Sequence, residues 1–240
     1  MSRWTRIELC VTDPQGVKIA RDVGADRVEL CKDISCGGLT SPWEDICESL
    51  LNAPPGGVMV LVRCRPGNFI YSPEEIDTMA SCIDDIVCSV EKLSRDYPDR
   101  APVGFVVGAV DGKGSIDRKA AQLFRDITTG YELTFHRAFD TVDDLDQALK
   151  MLNDMGYDRI LTTGGNPQKA NGSVLARLVN ESEKVTILAS GGLRADNVAD
   201  ILRQTQAQEV HMRAPAEDPE RTDPRLAADI VYQIRKFDQG

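Results

Sequence analysis

The sequence lacks a basic face. Its 28 Lys and Arg stand against 38 Asp and Glu, for a formal charge of −10. That balance argues against general affinity for nucleic acid or anionic membranes. The Lys and Arg are scattered and form no basic stripe. No apolar run is long enough to span a bilayer. Met1 to Arg6 leads almost directly into an apolar strand pattern, so no signal peptide is expected. Seven Cys occur without framework spacing, which disfavours a disulfide scaffold and points to reduced thiols in the cytosol. No Cys-x-x-Cys and no His pair with finger spacing is present, as a zinc finger would need. No Gly-x-Gly-x-x-Gly follows the first strand, so an open dinucleotide-binding sheet ranks second. No Lys ends a predicted strand, which disfavours a Schiff-base aldolase. No linker or low-complexity segment interrupts the chain, and a single domain over residues 1–240 is expected.

What is present is a rhythm. Short runs rich in Val, Ile and Leu alternate with amphipathic stretches, within a hydrophobic content of 42%. Strands are predicted at Ile7–Val11, Arg27–Leu30, Val58–Arg63, Gly104–Ala109, Glu132–His136, Arg159–Thr162, Thr186–Ala189 and Glu209–Met212. Helices are predicted at Pro14–Val23, Pro42–Leu51, Pro73–Leu93, Arg118–Thr128, Val142–Met155, Ser173–Asn180, Ala195–Gln204 and Pro224–Phe237. Asp13, Ser41 and Ser72 each precede a Pro and read as N-caps. Alternation of this kind implies a parallel sheet covered by helices. Eight units fit the α/β class as a closed (β/α)8 TIM barrel, a fold of about 250 residues.

Arg6-Ile7-Glu8-Leu9-Cys10 returns as Arg27-Val28-Glu29-Leu30-Cys31, 27 − 6 = 21 residues later. Strand side chains alternate faces, so the apolar set should meet the helices. Glu8, Cys10, Glu29 and Cys31 then point into the barrel, toward its mouth. The same parity turns Thr134 and His136 inward. His211 sits on the eighth strand, with Arg213 just beyond. Arg63 and Arg65 follow the third strand, and Arg137 to Asp140 follow the fifth. Barrel proteins place their chemistry at these strand ends. Glu8 and Glu29 can equally be buried partners of Arg63 or Arg137. Cys10 and Cys31, on strands about 4.8 Å apart, form a soft pair suited to Cu(I), with Cys36 as a candidate third sulfur. Gly191-Gly192 after the seventh strand suits either phosphate binding or a tight turn.

These segments together resemble the CutC family of copper homeostasis proteins. The likeness runs through Glu8-Leu9-Cys10, the stretch from Gly24 to Cys31, Gly37-Gly38-Leu39-Thr40, Arg63-x-Arg65, Tyr71-Ser72, Leu161-Thr162-Thr163-Gly164, Gly191-Gly192 and Glu209-Val210-His211. Its most specific part is Thr134-Phe135-His136-Arg137-Ala138-Phe139-Asp140. The resemblance implies a (β/α)8 barrel, a cytoplasmic role in copper handling, Cu(I) at Cys10 and Cys31, and a homo-oligomer. The chain departs from the family pattern at Arg63-Cys64-Arg65-Pro66-Gly67-Asn68-Phe69, at Cys36, at Asp111-Gly112-Lys113-Gly114 and after His211.

Two functional readings stand. In the first, Cys10 and Cys31, helped by Cys36, bind Cu(I). In the second, a small-molecule enzyme moves a proton, with Glu8 or Glu29 as base and His136 or His211 as acid. Arg63, Arg65, Arg137 and Arg213 would hold an anionic metabolite. Asp140, Thr162, Gly191 and Gly192 complete that substrate side. A non-catalytic binding barrel has little positive support. Nucleic acid and membrane are not expected partners.

Overall fold

Apolar residues at alternate strand positions need helices on one side and a closed interior on the other, and the chain provides both. The computed structural model describes residues 4–240. The strands are β1 (Arg6–Val11), β2 (Arg27–Leu30), β3 (Val58–Leu61), β4 (Val103–Val107), β5 (Glu132–Phe135), β6 (Arg159–Thr162), β7 (Thr186–Ala189) and β8 (Glu209–Met212). The helices are α1 (Pro14–Asp22), α2 (Trp43–Leu50), α3 (Pro73–Asp96), α4 (Arg118–Ile127), α5 (Leu145–Met155), α6 (Gly172–Glu181), α7 (Val198–Thr205) and α8 (Pro224–Gln239). Strand neighbours follow chain order, and β1 pairs parallel with β8 to close the barrel. The expected (β/α)8 architecture is the observed one. Among the described residues, no helix is long and apolar enough to cross a membrane.

Local chemistry sets the helix starts. Asp13 accepts from Gly16 N at the head of α1, and Ser72 and Glu75 form a reciprocal capping box on α3. Ser41 does not cap α2. Pro42 itself occupies the cap position, and the Ser41 hydroxyl is buried without a partner. α5 begins at Leu145, not Val142, because Asp144 caps it after a 3-10 turn over Arg137–Thr141. α7 begins at Val198 because Asn197 closes a turn, accepting from Arg194 N and donating to Gly192 O.

The strands obey the expected parity. Ile7, Leu9, Val28, Leu30, Phe105 and Phe135 lie in the core between strands and helices. Burying each such side chain contributes about 1.5–3 kcal/mol. Cys10, Cys31, Met59, Leu61 and Val106 form a second, interior cluster. The lower interior is ionic. Arg27 Nε donates to Glu8 Oε2 at 2.5 Å and its Nη2 donates to Glu209 Oε2 at 2.5 Å. Arg159 extends the chain, 2.8 Å from Glu209 and 2.9 Å from Glu132. Neither Arg63 nor Arg137 pairs with Glu8, contrary to the expected alternative. Glu8 stands in register beside Arg27 on β2, and both turn inward.

Arg27 holds two carboxylates that water does not reach. Replacing it by Met leaves Glu8 with His211 alone and Glu209 with Arg159 and the distant Arg6, and urea denaturation should show a loss of about 3 kcal/mol. Arg6, 3.8 Å from Glu209 and 56% exposed in its side chain, ends the same chain at the surface. Arg6→Ala should cost less than about 1 kcal/mol.

Candidate functional site

The C-terminal ends of the strands enclose a cavity of about 460 Å³. β1 and β2 furnish one side of its floor. The Cys10 and Cys31 sulfurs lie 3.8 Å apart, and the Cys10 sulfur lies 3.9 Å from Glu29 Oε1. Cys10, Glu29 and Cys31 can bring one ligand atom each within 4.8 Å of one another. So can Glu8, Glu29 and His211. His211 Nδ1 is 2.7 Å from Glu8 Oε1, which ties the mouth to the ionic layer beneath. Gly38 packs over Cys31: a Cβ there would stand 3.4 Å from its sulfur and 2.8 Å from Leu61 Cδ2.

The opposite wall belongs to His136. Its Nδ1 accepts from Ala138 N at 3.1 Å, and Phe69 lies against its ring at 4.8 Å between centroids. Gly108, just past the end of β4, leaves room, since a Cβ would stand 2.4 Å from His136 Nδ1. Arg63 joins two loops through backbone oxygens, donating to Cys36 O, Gly38 O and Gly67 O at 3.0, 2.8 and 2.8 Å. Asp140 is saturated: it accepts from Thr162 Oγ1, Thr163 N, Gly165 N and Arg137 Nε.

Cys10, Glu29, Cys36, Arg63, His136, Arg137, Asp140, His211 and Arg213 all line the cavity. Cys31 and Glu8 lie behind this lining, fully buried. Cys36 is outside the sulfur pair's cluster, and its thiol donates to Asp33 O at 3.0 Å. The third donor beside the pair is Glu29. Arg65 turns outward to Glu75 and Ile70 O. Thr162 is consumed by Asp140, bonding it at 2.5 Å. Gly191 and Gly192 do not line the cavity. A Cβ on Gly191 (φ +107°) would stand 2.4 Å from Ala170 N, so a turn explains that glycine. Arg27, Arg159 and Glu209 were not anticipated, although the parity that turned Glu29 inward turns Arg27 inward too.

Environment separates the two imidazoles. Burial and the nearby Arg63 charge push His136 down to about 3. It is neutral at pH 7, and the Ala138 bond to Nδ1 puts its proton on Nε2. His211 is the reverse. Burial disfavours its charge, but Glu29, Cys10 and Glu8 together hold it well above the usual range. Burial alone would raise Glu8, yet Arg27 and His211 bring it to about 2. Glu29 has no such guanidinium partner; burial, aided by Glu8, raises it to about 7. The Cys31 contact and burial lift the Cys10 thiol well above its ordinary value. At neutral pH the floor thus holds an ionised Glu8, an imidazolium and a carboxyl near its midpoint.

His136 also carries a pH signature. Its folded value lies below the unfolded 6.5, so the unfolded chain binds the extra proton between about pH 3 and 6.5. Stability should therefore fall as pH drops through that window, by about 1.4 kcal/mol per unit from this group. Urea midpoints from pH 7 down to 4 should show the wild type losing this increment relative to His136→Gln.

The chain can now be set beside known proteins. The CutC family model matches residues 5–216. A family protein CutC of Caulobacter vibrioides is 34% identical over 207 residues, 85% of this chain and 79% of that one. One from Bacteroides fragilis is 33% identical over 209 residues, covering 86% and 79%. The crystal structure of CutC from Streptococcus agalactiae, to which copper homeostasis is ascribed, superposes with a TM-score of 0.75 at 26% identity, covering 86% of this chain and 97% of that one. Phosphoribosylanthranilate isomerase of Pyrococcus furiosus has a TM-score of 0.61 at 13% identity, covering 97% and 99%, a likeness of fold alone. The matched segment holds both thiols, both imidazoles and all of the ionic layer, and by it the chain belongs to the CutC family.

Proposed function

We propose that the protein handles copper, binding Cu(I) between the sulfurs of Cys10 and Cys31. One observation carries this reading: two soft donors 3.8 Å apart, Cys10 lining the cavity and Cys31 buried directly behind it. Thiolates select Cu(I) over harder ions, and a two-sulfur set suits it better than zinc, which takes three or four protein ligands. Glu29 is the nearby hard donor, and the His211 imidazolium beside Cys10 offsets the anionic character of a dithiolate. Cys36 lines the cavity an ion would cross on entry. Seven free thiols fit a reducing, cytosolic setting, and the copper homeostasis role ascribed to the Streptococcus relative agrees with it.

A second reading has its own observation. Glu8, His211 and Glu29 form a chain of exchangeable groups on the cavity floor, with Glu29 near 7. A general base poised there suits proton transfer to or from a bound small molecule. Turnover in a metabolite screen that disappears in Glu29→Gln and survives in Cys31→Ser would support it; turnover that survives in Glu29→Gln would reject it.

Competition titration with a Cu(I) chelator, under anaerobic reducing conditions, tests the copper reading. Cys10→Ser and Cys31→Ser should each weaken binding by roughly 100-fold or more, since they remove first ligands. Affinity should rise with pH, because Cu(I) must displace a thiol proton that Cys10 holds tightly. Unchanged affinity in both variants would remove the site.

A further inference from the structure

The cavity holds more polar capacity than the protein itself uses. Among the described residues, His136 Nε2, Glu29 Oε2, Arg213 Nε and Arg63 Nε are buried without a hydrogen-bond partner, and all four residues line this one cavity. His136 and Glu29 are themselves about 95% buried. Buried polar groups are rarely left unsatisfied in folded proteins, and each such group costs stability. Their convergence on one concave surface marks a site whose ligand completes the hydrogen bonding.

The chemistry of the walls narrows the ligand. His136 offers a neutral N–H from Nε2, because Nδ1 is already occupied by Ala138 N. Arg213 offers a guanidinium N–H, and Arg63 and Arg137 add positive charge to the same walls, with N–H groups largely given to main-chain oxygens and Asp140. Asp140, the carboxylate facing them, is spent on its own donors. The upper walls therefore call for an oxyanion. Glu29 Oε2 calls for a hydroxyl, which serves either protonation state because it donates and accepts. Leu61, Leu161 and Ile34 offer apolar surface for a short carbon skeleton.

We propose that the mouth of the barrel binds a small hydroxycarboxylate, its carboxylate held by His136 and Arg213 and a hydroxyl by Glu29. The proposal rests on the second reading only in sharing its cavity; binding is distinct from turnover. It shares Glu29 with the copper reading and is separated from it by His136 and Arg213, neither of which stands in the Cys10–Glu29–Cys31 group.

Calorimetric titration of the metal-free, reduced full chain tests it. The probes are glycerate, tartrate and gluconate, with propionate and glycerol as controls lacking one group. At least one hydroxy acid should bind with a Kd of about 1 mM or tighter, and both controls should bind worse. His136→Phe keeps a ring beside Phe69 without the donor, and Arg213→Met removes the guanidinium at a half-exposed position. Each should weaken binding by about tenfold or more. The His136 Nε2–H resonance should shift on titration. Cys31→Ser, at a sulfur behind the cavity lining, should leave hydroxy acid binding intact, so a failed copper site and a failed organic site give different results. No binding by any hydroxy acid at about 10 mM, or binding indifferent to both His136→Phe and Arg213→Met, would overturn the proposal.

Discussion

The mouth of this barrel depends on a guanidinium that lies beneath it. Arg27 sits between Glu8 and Glu209, 2.5 Å from each. Without that charge, His211 alone would oppose the burial that raises Glu8. Because Arg27 is there, Glu8 stays ionised and fixes His211 through Nδ1. His211 in turn stands as a cation beside Cys10 and Glu29. The soft pair and the titrating carboxyl thus inherit their electrostatics from a layer no ligand touches. A buried ion network of this kind is weak evidence for net stability. Its contribution is to set protonation states one layer above.

The cavity is electrically divided. On the β1–β2–β8 side, an imidazolium faces carboxylates and thiols. On the β5 side, a neutral imidazole faces aromatic carbon and guanidinium. Two histidines lining one barrel mouth hold opposite charge states because their neighbours differ in sign.

Much of this was legible in the sequence. The alternation in Arg6-Ile7-Glu8-Leu9-Cys10 and its near copy is set by a period of two, which turns one parity inward on any closed barrel. Strand count, closure, the proximity of Cys10 to Cys31 and the placement of both histidines follow from it. Partner identity did not follow. Arg27 looked like the edge of a strand, and only the parallel register with β1 puts it beside Glu8. Arg65 looked like Arg63, two residues away, but the loop turns it to Glu75. Helix starts slipped where Asp144 and Asn197 formed turns that hydrophobic patterning does not record.

Arg63 carries a further consequence. It grips the loops after β2 and β3 by the main-chain oxygens of Cys36, Gly38 and Gly67. Main-chain oxygens are common to every amino acid. Side chains along these loops can therefore drift through evolution while the frame around the opening persists. Cys36, and Asn68 beside Gly67, stand in that latitude. Recognition can diversify there without the barrel having to be rebuilt.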